Sequence, residues 1–261
     1  MPQPLDRHAL KSVRFIATDM DGTLTRQGKF TAPLLNSLME LATAGIQVVI
    51  ITGRSAGWVQ AVGHYLPIAG AIAENGGLFY NSATHATAGE APGELLVPIA
   101  DLTQHRQNLA EMFQQLQQEF PQIQASADNP FRLTDWTFPV QGLSLEELQR
   151  MGDRCHLDGW GFTYSTVQSH LKLPQQEKAI GLATVLSRYF PDYAPEQVIT
   201  VGDSPNDESL FDRDQFPFSV GVANVEHYLD RLTHQPTFIT QAPEAAGFCE
   251  LAQCLLKHQT T

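Results

Sequence analysis

The chain's patterning predicts an α/β protein: a doubly wound parallel sheet interrupted by an inserted α+β domain. Three observations carry this expectation. Apolar strand-like runs alternate with helical stripes over the first 80 residues, the alternation is lost in the middle of the chain, and it returns near residue 177 and continues towards the C-terminus. Strand–helix alternation is the pattern of a parallel sheet covered by helices on both faces. At 261 residues, with 43% hydrophobic and 17% charged residues, the chain has ample material for a core and suits two folded units.

The elements follow in order. Residues 13–17 are an apolar strand that runs directly into Thr18-Asp19-Met20-Asp21-Gly22-Thr23. Residues 31–44 carry Leu34, Leu35, Leu38, Leu41 and Ala42 at helical spacing, and Gly45 stands where helices end. Residues 46–51 are nearly continuous in β-branched side chains, as expected of a strand buried on both faces. Thr52-Gly53-Arg54-Ser55 then leads to a short helix near 56–64, and a third strand at 69–73 ends in Glu74-Asn75-Gly76-Gly77. This βαβαβ rhythm is Rossmann-like, and such sheets bind ligands at the carboxyl ends of their strands.

The middle reads differently. Residues 78–80 and 94–99 suit a hairpin around a loose Ala/Thr/Gly/Pro segment, and 102–120 a Gln-rich helix with Leu109, Met112, Phe113 and Leu116 on one side. Residues 132–140 suggest a strand, 144–155 a helix opened by a Ser144/Glu147 capping box, and 161–173 further strands. The expected division is therefore a core of residues 1–99 and 173–261 around an insertion of residues 100–172. The first rhythm resumes with a helix at 177–189, a strand at 198–201 followed by Gly202-Asp203-Ser204-Pro205-Asn206-Asp207, strands at 218–222 and 238–240, and a last helix at 247–258.

A formal charge of −12 argues against a nucleic-acid or anionic-membrane surface, so an anionic ligand must be met by local positive groups or a metal. The opening MPQPLDRHALKS lacks the apolar core of a signal peptide, and no apolar run approaches the ~20 residues of a membrane span. Cys155, Cys249 and Cys254 are odd in number and lack metal-ligand spacing, as expected of reduced structural thiols. A cytoplasmic protein, monomeric or weakly dimeric, is expected.

The chemistry concentrates at strand ends. Asp19 and Asp21 lie one residue apart where Gly22 lets the backbone turn, so both border one small volume. Two such carboxylates repel unless they share a proton or a cation, and Mg²⁺ answers that need. Asp-x-Asp-Gly also occurs in plain turns and calcium loops, but the distal Glu of a calcium loop is missing. Thr52 alone reads as a helix cap with Ser55, Lys178 alone as a surface lysine, and Asp203 alone as a turn residue. Their joint placement at strand ends or on the helices that follow points to one site.

Asp19-Met20-Asp21-Gly22-Thr23, Thr52-Gly53-Arg54, Lys178 and Gly202-Asp203-Ser204-Pro205-Asn206-Asp207 together resemble the haloacid dehalogenase superfamily of aspartyl phosphatases. Glu74-Asn75-Gly76-Gly77 before the insertion resembles the branch with a large cap, which includes Cof-type sugar phosphatases, sucrose-phosphate phosphatase and mannosyl-phosphoglycerate phosphatase. The likeness covers residues 12–80 and 173–245. It implies Asp19 as nucleophile forming an aspartyl-phosphate, and Asp21 as general acid and then base. It implies Mg²⁺ held by the Asp19 carboxylate, the Asp21 main-chain carbonyl and Asp203, with Asp207 steadying the metal site. Thr52, with Gly53, and Lys178 would bind the transferring phosphoryl group, Lys178 neutralising charge. Relatives usually carry glycine after Lys178; here Ala179 stands there with Gly181 two positions on, which implies a small shift of the helix start.

Substrate choice is expected in the inserted cap, which closes over the core. Arg132 and Asp135 are three apart, so both face inward only if a bulge or turn intervenes; Arg132 is a substrate contact or a surface salt bridge. Ser165, Gln168 and His170 form a second candidate group, with Lys172 on the same face as Gln168 and His170; this row meets sugar hydroxyls or faces solvent. Arg54 is placed to reach the leaving group or a second anionic group. Trp58, Trp136 and Trp160 are expected in the core rather than stacked on a sugar, and Gln114, Gln115, Gln117 and Gln118 in solvent. The functional expectation is a Mg²⁺-dependent phosphomonoester hydrolase acting on a small polar phosphorylated substrate, a sugar phosphate foremost. The alternatives are a phosphomutase of the same superfamily and a non-catalytic binding protein on the scaffold. Dehalogenation is not expected, because that chemistry dispenses with the second acid and the metal.

Overall fold

The computed structural model describes residues 2–83, 93–165 and 167–257. Its strands are β1 (Gln3–Pro4), β2 (Phe15–Thr18), β3 (Gln47–Ile51), β4 (Gly70–Ala73), β5 (Leu78–Asn81), β6 (Glu94–Leu95), β7 (Trp136–Pro139), β8 (Gly161–Tyr164), β9 (Gln168–Lys172), β10 (Val198–Gly202), β11 (Phe218–Gly221) and β12 (Phe238–Ile239). The α-helices are α1 (Ala32–Thr43), α2 (Ala56–Tyr65), α3 (Leu102–Glu119), α4 (Leu145–Leu157), α5 (Lys178–Tyr189) and α6 (Glu244–Leu256). Most of the loose segment expected before residue 94 lies outside the described residues, as do Thr166 and His258.

Nine strands form one sheet in the order β1-β12-β11-β10-β2-β3-β4-β5-β6. The pairs from β1 to β4 are parallel, and β5 and β6 close the edge in antiparallel fashion. Strand alternation divides the apolar side chains between two layers. Ile16, Val48 and Ile50 pack with Leu34 and Leu38 of α1, Val59 of α2 and Phe248 and Leu251 of α6. Phe15, Ala17, Val49 and Ile51 pack with Leu182 and Val185 of α5 and with Leu210 and Phe211. Both faces of the sheet are therefore covered, and β2 lies at its centre. Asp19 follows β2 and Asp203 follows β10, adjacent parallel strands whose carboxyl ends coincide through the Val201–Thr18 register.

The second sheet has three antiparallel strands in the order β7-β9-β8. It carries its own apolar layer, in which Phe138 and Leu171 meet Leu109, Met112 and Leu116 of α3 and Met151 and Cys155 of α4. The capping box is present: Ser144 accepts from the Glu147 N–H, and Glu147 accepts from the Ser144 N–H at 2.7 Å. The strand expected over 132–140 is shorter, because Asn129–Phe131 form a 3₁₀ turn and only Trp136–Pro139 pair with β9. The expected last helix starts earlier, at Glu244, and 3₁₀ turns at Pro205–Phe211 and Ala223–His227 replace loops. Trp58, expected in the core, is 44% exposed, since its helix position lies opposite the buried Ala56, Val59 and Val62 stripe. Cys155 is buried and the three described cysteines are free. No helix of the described residues is long and apolar enough to cross a membrane.

Candidate active site

Asp19 stands immediately past β2, with its N–H donating to Val201 O on β10. The turn that follows depends on Gly22, whose φ is +88°; a Cβ there would also lie 2.5 Å from Asp203 Oδ2. Glycine thus lets the β2 loop press against the β10 loop, and Asp203 reaches Asp19 for that reason. Carboxylate oxygens of Asp19, Asp203 and Asp207 all lie within 4.8 Å of one another. Asp203 accepts from Thr23 Oγ1 at 3.1 Å and from Asn224 Nδ2 at 2.8 Å.

Lys178 opens α5 and is buried between two of these acids. Its Nζ donates to Asp19 Oδ1 at 2.6 Å and to Asp207 Oδ1 at 2.5 Å. The other oxygen of Asp207 accepts from the N–H groups of Asp203 and Ser204 at 2.9 and 3.1 Å. Both oxygens of Asp207 are thus engaged, and they hold Lys178 and the 203–204 turn in place. Ala179 is buried against the α5 face of the sheet, and the close approach falls two residues on: a Cβ on Gly181 would lie 2.8 Å from the Gly76 backbone.

Charge in this pocket is unbalanced. Burial pushes the Asp19 carboxyl up to about 7, with Asp207 and Asp21 adding to the rise and Lys178 opposing it. Burial, then the neighbouring Asp19 and Asp207, raises Asp203 well above the ordinary carboxylate range. The same two acids outweigh burial at Lys178 and hold its ammonium charged. Asp19 Oδ2 is buried with no hydrogen-bond partner, a costly state for a carboxylate oxygen. A set of hard oxygen donors with one buried orphan fits a magnesium-sized cation.

Asp21 does not join the three acids. Its carboxylate takes a bidentate pair from Arg54, with Nε and Nη2 each at 2.7 Å. That pairing outweighs burial and raises Arg54. Thr52 follows β3, and its hydroxyl accepts from the Arg54 N–H at 3.2 Å rather than capping α2. The cap of α2 comes from Glu74 instead, whose Oε1 accepts from the Ala56 N–H at 2.9 Å.

Asp19, Asp21, Thr52, Gly53, Arg54, Gln168 and His170 border one cavity of about 20 Å³. The β9 face therefore turns towards the larger sheet and not to solvent. His170 packs on Gly53, where a Cβ would lie 2.8 Å from its ring, and its Nδ1 meets Asp135 Oδ2 at 2.8 Å. With Nδ1–H given to the carboxylate, Nε2 is the acceptor. Burial, dominating the pull of Asp135, lowers the His170 pKa.

Arg132 is placed otherwise than expected. It is 2% exposed and does not border this cavity, because its guanidinium is engaged within the protein. Nη1 donates to Gly53 O and Asp135, and Nη2 to Asp128 and Gln168. The 3₁₀ turn before it supplies the bend that lets Arg132 and Asp135 meet. Lys172 is buried and donates to Gln176 O at 2.5 Å.

The sequence reading missed two groups. Asn224 braces Asp203 and also donates to Gly22 O at 3.1 Å. It follows β11, so the strand-end rule that found Asp203 also covers it. Glu74 accepts from the N–H groups of Leu133 and Thr134 and from the Thr134 hydroxyl, at 3.0, 2.6 and 2.7 Å, in addition to capping α2. Its backbone is left-handed, with φ of 53°, and no sequence pattern announces that role.

Residues 16–117 match the haloacid dehalogenase-like hydrolase family. A phosphoglycolate phosphatase from Haloarcula marismortui is 29% identical over 239 residues, 90% of this chain and 94% of that protein. Among solved structures, Thermoplasma acidophilum 0175 superposes with a TM-score of 0.73 at 19% identity, covering 94% of this chain and 99% of that one. The C-terminal domain of C. albicans trehalose-6-phosphate phosphatase gives 0.71 at 13% identity, with 98% of each chain covered.

Proposed function

The chain belongs to the haloacid dehalogenase-like hydrolase superfamily and is a phosphatase, and from that premise we propose that it hydrolyses a small polar phosphomonoester with Mg²⁺, through an aspartyl-phosphate on Asp19. One observation carries the reading: a buried Asp19 oxygen without a protein partner, among two further acids and the Lys178 ammonium. Such a carboxylate is held ready for an electrophile and a cation. Asp19, Asp203 and the Asp21 carbonyl would hold Mg²⁺, which when bound supplies neutralising charge at the phosphoryl group.

The chain's own residues do the rest. The Asp19 carboxylate attacks phosphorus in line, a P–O bond forms to Asp19, and the ester P–O bond breaks. Asp21, once released from Arg54 and protonated from solvent, gives that proton to the leaving alkoxide, then takes one from the water that cleaves the aspartyl-phosphate and frees inorganic phosphate. Lys178 and the Thr52 hydroxyl, with the Gly53 backbone, fix and neutralise the phosphoryl oxygens. Arg54 holds Asp21 at rest and releases it as the substrate takes up the guanidinium. Residues 100–172 act as a cap whose His170 and Gln168 border the phosphoryl cavity and exclude water.

A sugar phosphate is the substrate class we favour, supported by the acceptor Nε2 of His170 and the amide of Gln168, groups suited to hydroxyls. A two-carbon substrate is the second reading, favoured by the name of the Haloarcula relative. Free thiols support a cytoplasmic setting. The test is phosphate release from p-nitrophenyl phosphate and a panel of sugar phosphates, with Mg²⁺ and then with EDTA. Release that EDTA stops and Asp19→Asn lowers by roughly 10³-fold or more is expected. Isomer interconversion without release would indicate a mutase, and full activity in Asp19→Asn would refute the nucleophile.

A further inference from the structure

The cavity at the acids is too small for anything beyond a phosphoryl group, so the rest of the substrate must lie in an adjoining space. A hollow of about 600 Å³ shares two walls with it, Arg54 and Gln168. We propose that this hollow, between the N-terminal end of α2 and the 126–131 turn, is the leaving-group site, and that it takes a ring-shaped polyhydroxylated alcohol of hexose size or larger.

Three arguments support the assignment. The first is its side of the reaction: the acid that protonates the leaving oxygen must stand beside it. Asp21 is bonded to Arg54, which forms the wall between the two spaces. A second hollow, of about 320 Å³, opens instead beside Lys178, on the nucleophile's side, and Glu177, Glu208 and Asp212 line it together with Lys172, Lys178 and His234.

The second argument is chemical. Trp58 and Phe131, 44% and 64% exposed, stand in the larger hollow as aromatic groups in contact with water. The Arg54 guanidinium lies over the Trp58 ring, 5.5 Å from its centroid. Aromatic faces beside a few convergent polar groups, here Ser126, Asp128 and Gln168, suit a sugar ring, whose C–H face stacks while its hydroxyls bond at the rim. The third is size, since about 600 Å³ lies within the range of small-molecule sites and far exceeds a two-carbon acid.

This inference rests on the phosphatase reading above, and the experiment separates the two. Wild type, Trp58→Ala, Phe131→Ala and Trp58→Phe are assayed with Mg²⁺ on hexose and disaccharide phosphates, with phosphoglycolate and p-nitrophenyl phosphate as references. The expected result is that the wild type prefers the ring-bearing phosphates. Each alanine variant should raise KM for them about fivefold or more, as loss of one stacking face implies. kcat, and both constants for phosphoglycolate, should stay within about twofold, and Trp58→Phe should retain most of the preference. Hydrolysis of phosphoglycolate in preference to every ring-bearing phosphate would overturn the site while leaving the phosphatase intact. So would alanine variants that alter all substrates alike. Hydrolysis of no phosphate ester by the wild type would overturn both.

Discussion

Asp203 shows how a single residue depends on its neighbours. Its carboxylate is drawn into place by the absent side chain of Gly22, and its orientation is set by the Thr23 hydroxyl and the Asn224 amide. Groups that orient a ligand contribute strongly to metal affinity even though they never touch the ion. Asn224→Ala should therefore weaken Mg²⁺ about tenfold, read as the Mg²⁺ concentration giving half-maximal phosphate release. Activity at saturating Mg²⁺ should change little. An unaltered Mg²⁺ requirement would show that Thr23 alone suffices. Asp203 itself was legible from its place after a strand; Asn224 also follows a strand, but what it braces was not legible, because its partner lies 21 residues away and only the β10–β11 register brings them together.

At the scale of elements, the two sheets are joined through Glu74. One buried carboxylate caps α2 and accepts three donors from Leu133 and Thr134 at the approach to β7. Gln176, just before α5, donates to the Glu74 carbonyl at 2.6 Å. An amide in place of the carboxylate would turn an NH₂ group towards those N–H donors. Glu74→Gln should therefore cost about 1–3 kcal/mol of stability, seen as a melting temperature several degrees lower. A variant melting with the wild type would remove Glu74 from the joint. The amphipathic helices and the capping box of α4 could be read from spacing, since their hydrogen bonds are local. The shortened β7 could not, because the 3₁₀ turn at Asn129–Phe131 is held by Asn129, whose amide donates to Thr137 O at 2.8 Å.

Across the whole molecule, buried titratable groups give stability a pH dependence with opposing parts. His170, near 6.5 when free, is lowered by burial, so the fold keeps it neutral. Its contribution is complete above about 6.5 and is lost as the pH falls, because the unfolded chain then binds the extra proton. Burial also acts on Asp135 but is overcome by Arg132 and His170; its lowered value gives a loss in the same direction, beginning nearer 3.8. Glu74 runs the other way: burial, then Asp135, raises it from 4.5 to about 7, so it contributes stability in acid that is lost as the pH rises through that window. His170→Asn retains a donor for Asp135 without a titrating ring. Its melting temperature relative to wild type should thus climb as the pH is lowered from 7 to 5, by scanning calorimetry. A gap constant across that range would show that His170 does not titrate on unfolding.

Sequence by itself determined the alternation of strands and helices, its loss in the middle of the chain, and the strand-end positions of Asp19, Thr52 and Asp203. Those features follow from periodicity and turn chemistry, which act over a few residues. Only the tertiary structure decided how the site is assembled: Asp21 against Arg54, Lys178 between Asp19 and Asp207, and Arg132 engaged with Asp135 rather than facing the cavity. Each of these pairings depends on which charges the fold removes from water together. A buried charge takes whatever partner the packing brings within reach, however far apart the two lie in the chain.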